Sequence, residues 1–121
     1  MATIIIVDDS DTIRSRLKTV LGETPHEVLE ASDGTGGFEL VRQRPDAKLV
    51  ITDHNMPGMD GTQMCRRIRD EVGGFSGTVV MLTTETSFAL KSEGKKAGIR
   101  YWLTKPIKPP KLLKIVDRLV G

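Results

Sequence analysis

The sequence has little cysteine, few aromatic residues and almost no excess of either charge. Its single cysteine, Cys65, cannot form an internal disulfide and stands at no zinc-binding spacing to His26 or His54. A net charge of +2 and the shortage of aromatic side chains argue against nucleic-acid binding. No apolar run is long enough to cross a bilayer and no signal peptide is evident, so we expect a cytoplasmic protein without membrane insertion.

The length and composition fit one ordinary domain. A chain of 121 residues can bury a hydrophobic core without disulfides or structural metals, and 38% apolar with 28% charged residues is typical of a soluble globular domain. We find no repeat, low-complexity tract or linker, and therefore predict one domain over residues 1–121. Because nothing follows the last predicted helix, we expect no separate output domain.

Short apolar runs alternate with longer amphipathic stretches. The strand candidates are residues 3–7, 27–31, 49–52, 78–82 and 99–103. The first, third and fourth are apolar on both faces, as in buried parallel strands, whereas the other two suit sheet edges. Each precedes a helix candidate, the first running from a cap at Ser10 or Asp11 to Gly22 and the others at about 35–44, 61–71, 87–97 and 110–120. This order predicts an α/β fold with a five-stranded, doubly wound parallel sheet and helices on both faces.

Polar residues follow four of the five predicted strands. Asp8 and Asp9 follow the first, Asp53 ends the third, Thr83 ends the fourth, and Lys105 comes after the fifth. Each residue alone has an ordinary explanation as a helix cap, a turn former or a surface charge. Because the carboxyl ends of parallel strands meet at one edge of a sheet, the set as a whole predicts a functional cleft.

Three carboxylates in one cleft would repel one another unless a cation lies between them. Mg²⁺ prefers oxygen ligands and usually keeps several of its waters, so one or two carboxylates and a backbone carbonyl would suit it. Lys105 could add a counter-charge or bind a phosphate oxygen. The pattern therefore predicts a magnesium site beside Asp53.

Four segments together resemble the response-regulator receiver family over essentially the whole chain. They are VDDS at residues 7–10, TDHNMPGMDG at 52–61, LTTE at 82–85 and TKPI at 104–107. The resemblance implies a flavodoxin-like fold and a phosphorylation-activated switch of a two-component system, rather than a conventional enzyme. It also implies a sensor histidine kinase as phosphodonor and a protein target on the face formed by the fourth helix, fifth strand and fifth helix. Similarity to the chemotaxis members of the family implies a role in chemotaxis.

Carried over position by position, the resemblance implies roles for the acidic residues. Asp53 resembles the phosphoacceptor, which can form and later lose an acyl phosphate. Asp9 resembles a direct Mg²⁺ ligand, with Asp8 acting through water, and Asn55 would supply its backbone carbonyl. Asn55 and Glu85 would flank the path of the hydrolytic water.

Three further residues resemble the switch elements of the family. Thr83 corresponds to the hydroxyl that moves toward the phosphoryl group, and Lys105 to the lysine that contacts a phosphoryl oxygen. Trp102 stands at the switch aromatic, where tyrosine or phenylalanine is commoner. The family often has a cis peptide bond at the position of Lys105–Pro106.

Other functions remain open at this point. An aspartyl phosphatase would want a second acid two residues after the nucleophile, where this chain has Asn55. A phosphorelay receiver, or a pseudo-receiver that binds proteins without being phosphorylated, would share the fold. The intact acids, Thr83 and Lys105 argue against the pseudo-receiver.

Most basic residues are expected on solvated helix faces. They include Arg14, Arg16 and Lys18 in the first helix and Arg66, Arg67 and Arg69 in the third. A second run comprises Lys105, Lys108, Lys111 and Lys114. A solvated face is the simplest interpretation of both the third-helix arginines and these lysines. A partner-docking surface stays open for both and is more credible for the lysines because of their position.

Overall fold

The computed structural model describes residues 1–84 and 87–120. Its strands are β1 Thr3–Val7, β2 Glu27–Ala31, β3 Leu49–Asp53, β4 Thr78–Thr83 and β5 Tyr101–Thr104. Its helices are α1 Asp11–Leu21, α2 Gly34–Gln43, α3 Gly61–Glu71, α4 Phe88–Lys96 and α5 Pro109–Val120. The predicted alternation of strand and helix is confirmed. None of the helices within these residues is long and apolar enough to span a membrane.

All strands are parallel and form one sheet in the order β2-β1-β3-β4-β5. The fully buried strands β1 and β3 lie inside the sheet with β4, and the two weaker strands are its edges, as their patterns predicted. Strand β5 begins at Tyr101, later than expected. Ile99 is buried but donates its backbone N–H to Gly94 O at 2.8 Å, so it closes the end of α4 rather than pairing in the sheet.

The sheet has a hydrophobic core on each face, because successive side chains of a strand point to opposite sides. Ile5 and Val7 of β1 pack on the face that α2 and α3 cover. Ile4 and Ile6 pack on the other face, which α1 and α5 cover. Burial on both faces holds the strand register, and the register determines which side chains meet at the carboxyl edge.

Helix α3 begins directly beside the end of β3. Asp60 and Gln63 form a capping box, in which the Asp60 side chain accepts from Gln63 N at 2.8 Å and the Gln63 side chain accepts from Asp60 N at 2.9 Å. Gly61 N donates to His54 O at 3.0 Å and closes the intervening loop. A Cβ atom on Gly61 would lie 2.4 Å from the carbonyl oxygen of Asp53, so only glycine allows this approach.

Gly61→Ala is therefore expected to destabilise the fold by about 1–3 kcal/mol, the usual cost of overpacking. Gly73→Ala is the matched control, because a Cβ there meets no atom within 4 Å. Urea unfolding of both variants measures the difference. Equal free energies of unfolding would contradict the close approach at Gly61.

Candidate functional site

The strand register brings the predicted site residues to one edge of the sheet. Val7 pairs with Thr52, so Asp8 follows β1 beside the last residue of β3. Asp53 in turn pairs with Leu82, which places Thr83 one step farther along the neighbouring strand. One carboxylate oxygen from each of Asp8, Asp9 and Asp53 lies within 4.8 Å of the other two. The predicted convergence of acids is present in the structure.

The Asp53 carboxylate is held at the bottom of this cleft. Its side chain is only 7% exposed, and Oδ1 accepts from His54 N at 2.9 Å. Burial and then the negative charge of Asp8 raise the pKa of Asp53 above its ordinary value, and Lys105 opposes only part of that rise. The carboxylate is thus fixed in place, but its negative charge is poorly compensated by the protein alone.

Lys105 is the counter-charge that the fold supplies. Its Nζ lies 3.1 Å from Asp53 Oδ1 and 3.2 Å from Asp8 Oδ2. Its backbone N–H donates to Thr83 O at 3.0 Å, and the Lys105–Pro106 peptide bond is cis. Burial lowers the pKa of Lys105, but the two carboxylates outweigh this effect, and the net pKa is raised. Lys105 is therefore a permanent cation at neutral pH.

Asp8 and Asp9 provide the remaining oxygens. Asp8 is 1% exposed; its Oδ1 accepts from Ser10 N at 2.9 Å, whereas among the described residues Oδ2 has only the ion pair with Lys105. Asp9 is exposed at the mouth of the cleft. A single ammonium cannot neutralise three carboxylates, so the donor set fits a hard divalent cation such as Mg²⁺.

The other predicted residues surround this cluster. Asn55 is exposed in the loop after β3, and within the described residues no hydrogen bond uses its backbone carbonyl. Thr83 is fully buried at the end of β4. Trp102 lies farther away, in β5 opposite Met81. Glu85 lies outside the described residues.

Arg14 is a site residue that the sequence analysis missed. We expected it to point outward, but its side chain is only 12% exposed. It turns back to donate from Nη1 to Asp8 O at 2.6 Å and from Nε to Glu30 Oε1 at 3.1 Å. Glu30 pairs with Ile6 in the sheet, so this contact ties the acidic loop to β2. The sequence signal for this contact is the combination of an acid near the end of β2, Glu30, with an arginine in the first turns of α1, Arg14.

The arginine run of α3 forms contacts at the protein surface. Arg66 bonds Glu93 at 2.8 Å and so links α3 to α4. Arg67 pairs with Glu71 and lies 4.1 Å above the ring of Phe38. All three side chains stay about half exposed, as expected of a solvated face, while Arg66 and Arg67 also contact the neighbouring helices α4 and α2.

Comparison with known proteins agrees with this geometry. Residues 4–117 match the response regulator receiver domain family. The chain is 34% identical over 119 residues to a CheY homologue of Campylobacter jejuni, covering 98% of this chain and 92% of the relative. It is 37% identical over 122 residues to PilH of Pseudomonas aeruginosa, covering 100% and 99%. A structure of Vibrio cholerae chemotaxis protein CheY4 superposes with a TM-score of 0.90 at 36% identity and 98% coverage of both chains.

The poorly compensated negative charge of Asp53 leads to a prediction about the free energy of unfolding. Folding raises the pKa of Asp53, so protonation of this carboxyl favours the folded state. Its contribution to stability is fully present below pH 3.8, the ordinary pKa of the group, and is lost as the pH rises through the raised pKa. In a chelating buffer at pH 7, Asp53→Asn should therefore be more stable than the unchanged protein by roughly 1–2 kcal/mol. Thermal and urea unfolding measure this gain, which should shrink as the pH falls toward 3.8.

Asp70→Asn is the control for this prediction, because Asp70 is an exposed acid on α3. The free energy of unfolding of this variant should differ little from that of the unchanged protein at any pH. A loss of stability in Asp53→Asn at pH 7 would show that the carboxylate is well compensated and would contradict the interpretation of the site.

Proposed function

The chain belongs to the response regulator receiver family, and from this premise we propose that residues 1–121 form one switch domain that accepts a phosphoryl group on Asp53. The proposed donor is a phosphohistidine of a sensor histidine kinase, and the proposed cofactor is Mg²⁺. The observation that carries the proposal is the Asp53 carboxylate, buried among two other acids with the Lys105 ammonium 3.1 Å from its Oδ1.

Transfer would need positioning and charge compensation more than covalent chemistry from the protein. A carboxylate oxygen of Asp53 attacks phosphorus, a P–O bond forms, and the P–N bond to the histidine breaks as the imidazole leaves. Lys105 would move its ammonium from the carboxylates to an oxygen of the incoming phosphoryl group, where it balances negative charge. The same acyl phosphate can later be hydrolysed at this site, so we propose slow self-dephosphorylation rather than turnover of a separate substrate.

Mg²⁺ would be held by Asp9 and Asp53, with Asp8 acting through water and Asn55 through its backbone carbonyl. When bound, the ion supplies positive charge for the phosphoryl oxygens. Arg14 contributes indirectly, since its hydrogen bond to Asp8 O fixes the loop that presents both acids.

We propose that Thr83 and Trp102 transmit the change. Thr83 ends the strand next to Asp53, and its hydroxyl would donate to a new phosphoryl oxygen. Trp102 lies in β5 with its indole against α4: a Cβ on Gly94 would lie 2.4 Å from Trp102 Cζ2. A shift of the loop after β4 would therefore alter the packing of Trp102 and shift the population between two arrangements of α4 and β5.

The proposed output is a change of affinity for a protein target on the face formed by α4, β5 and α5. Several of the relatives are chemotaxis proteins by name, which supports a role in chemotaxis for this chain. We place the switch in the cytoplasm, where a sensor kinase would present its phosphohistidine.

Incubation with acetyl phosphate and Mg²⁺ tests the phosphoacceptor. The expected result is a mass gain of one phosphoryl group, lost on addition of a chelator and absent in Asp53→Asn. Asp70→Asn should be labelled like the unchanged protein, because Asp70 lies outside the cluster. Full labelling of Asp53→Asn would contradict the assignment.

A further inference from the structure

Charge is divided unevenly along the chain. Residues 1–86 contain nine basic and fourteen acidic side chains, a net charge of −5. Residues 87–121 contain nine basic and two acidic side chains, a net charge of +7. The small net charge of the whole protein therefore hides a strongly basic part that comprises α4, β5 and α5.

The most regular part of this charge is a basic stripe, which we define as Lys108, Lys111, Lys114 and Arg118. The last three stand at helical spacings of three and four, which places them on one side of α5. All four are exposed, and they face away from Leu112 and Val116, the buried residues of the helix. Together they form a cationic edge about 15 Å long.

Unlike several arginines elsewhere in the protein, the members of the stripe have no acidic partners among the described residues. Arg42, Arg44, Arg66 and Arg67 each form an ion pair with a carboxylate. Within residues 1–84 and 87–120, no member of the stripe forms one. Like charges at these spacings repel one another, so the stripe would gain stability from an acidic ligand.

A cavity of about 370 Å³ lies at the amino-terminal end of the stripe. Leu103, Ile107 and Leu112 line it with apolar surface, and Lys108 and Lys111 stand beside them. Lys105 also lines the cavity, and its Nζ reaches Asp53. A lining that mixes apolar side chains with exposed lysines suits a ligand with one apolar side chain flanked by carboxylates.

We propose that the basic stripe and this cavity bind an acidic segment of the protein target. An apolar side chain of that segment occupies the cavity, and its Asp and Glu side chains lie along the stripe. The inference rests on the proposed function, to which it adds the chemistry of the partner. Nucleic acid fits less well, because α5 has no aromatic residue on which a base could stack.

Two fluorescein-labelled synthetic peptides test the inference. Both contain one leucine at the centre; the first has glutamates spaced along one helical face, and the second has lysines in their place. We expect fluorescence anisotropy to show that the acidic peptide binds the untreated protein, the protein treated with acetyl phosphate and Mg²⁺, or both. The basic peptide should bind neither. In NMR spectra of the protein, the amide chemical shifts that change on addition of the acidic peptide should belong to residues 103–118.

The double variant Lys111→Glu/Lys114→Glu should bind the acidic peptide at least about tenfold more weakly, since two attractive contacts become repulsive. Lys48→Glu is the matched control: it is an exposed lysine outside this surface and should bind as the unchanged protein does. Circular dichroism verifies that the variants are folded.

Binding in neither state, equal binding by the double variant, or tighter binding of a single-stranded oligonucleotide would overturn the inference. Its failure can be told apart from that of the proposed function. If Asp53 is not labelled, the assignment of the phosphoacceptor is contradicted. If the protein is labelled but does not bind the acidic peptide, only the proposed docking surface is contradicted.

Discussion

One ammonium group shared by two buried carboxylates is the interaction on which the rest of this structure depends. Lys105 Nζ reaches both Asp8, which follows β1, and Asp53, which ends β3, and both carboxylates are almost completely buried. Without that cation, two like charges would face each other in a poorly hydrated cleft. With it, one carboxylate oxygen of Asp8 still lacks a good hydrogen bond, and Asp9 adds further negative charge. The site therefore favours a ligand that brings positive charge.

The fold builds this arrangement from simple elements. Parallel strands align their carboxyl ends, and two-sided burial of β1 and β3 fixes the register that sets Asp8 beside Asp53. Gly61 lets α3 start against the carbonyl of Asp53, and Arg14 anchors the loop of Asp8 to β2. Lys105 contacts Asp53 and also lines the cavity beside α5, so a change at the carboxyl edge has a physical connection to the basic stripe.

Much of this could be predicted from the sequence because its signals are local. Apolar runs gave β1, β3 and β4, amphipathic spacing gave the helices, and polar residues at the strand ends gave the acidic cluster. The failures concern contacts between elements: Ile99 completes the end of α4, and Arg14 turns inward toward Glu30. The sequence pattern also did not specify that Arg66 pairs with Glu93 of α4 or that Arg67 lies over the ring of Phe38 in α2. Such choices depend on what tertiary structure brings within reach, which periodicity along one helix does not contain.

The most direct test is the position of a bound dication. Mn²⁺ takes the same hard oxygen ligands as Mg²⁺ and scatters X-rays anomalously, so a crystal grown with Mn²⁺ would locate it. We expect one strong anomalous peak within bonding distance of carboxylate oxygens of Asp9 and Asp53. Manganese bound only at other surface acids, with the cleft left to Lys105 alone, would contradict the idea that these carboxylates are assembled to hold a metal ion beside the phosphoacceptor.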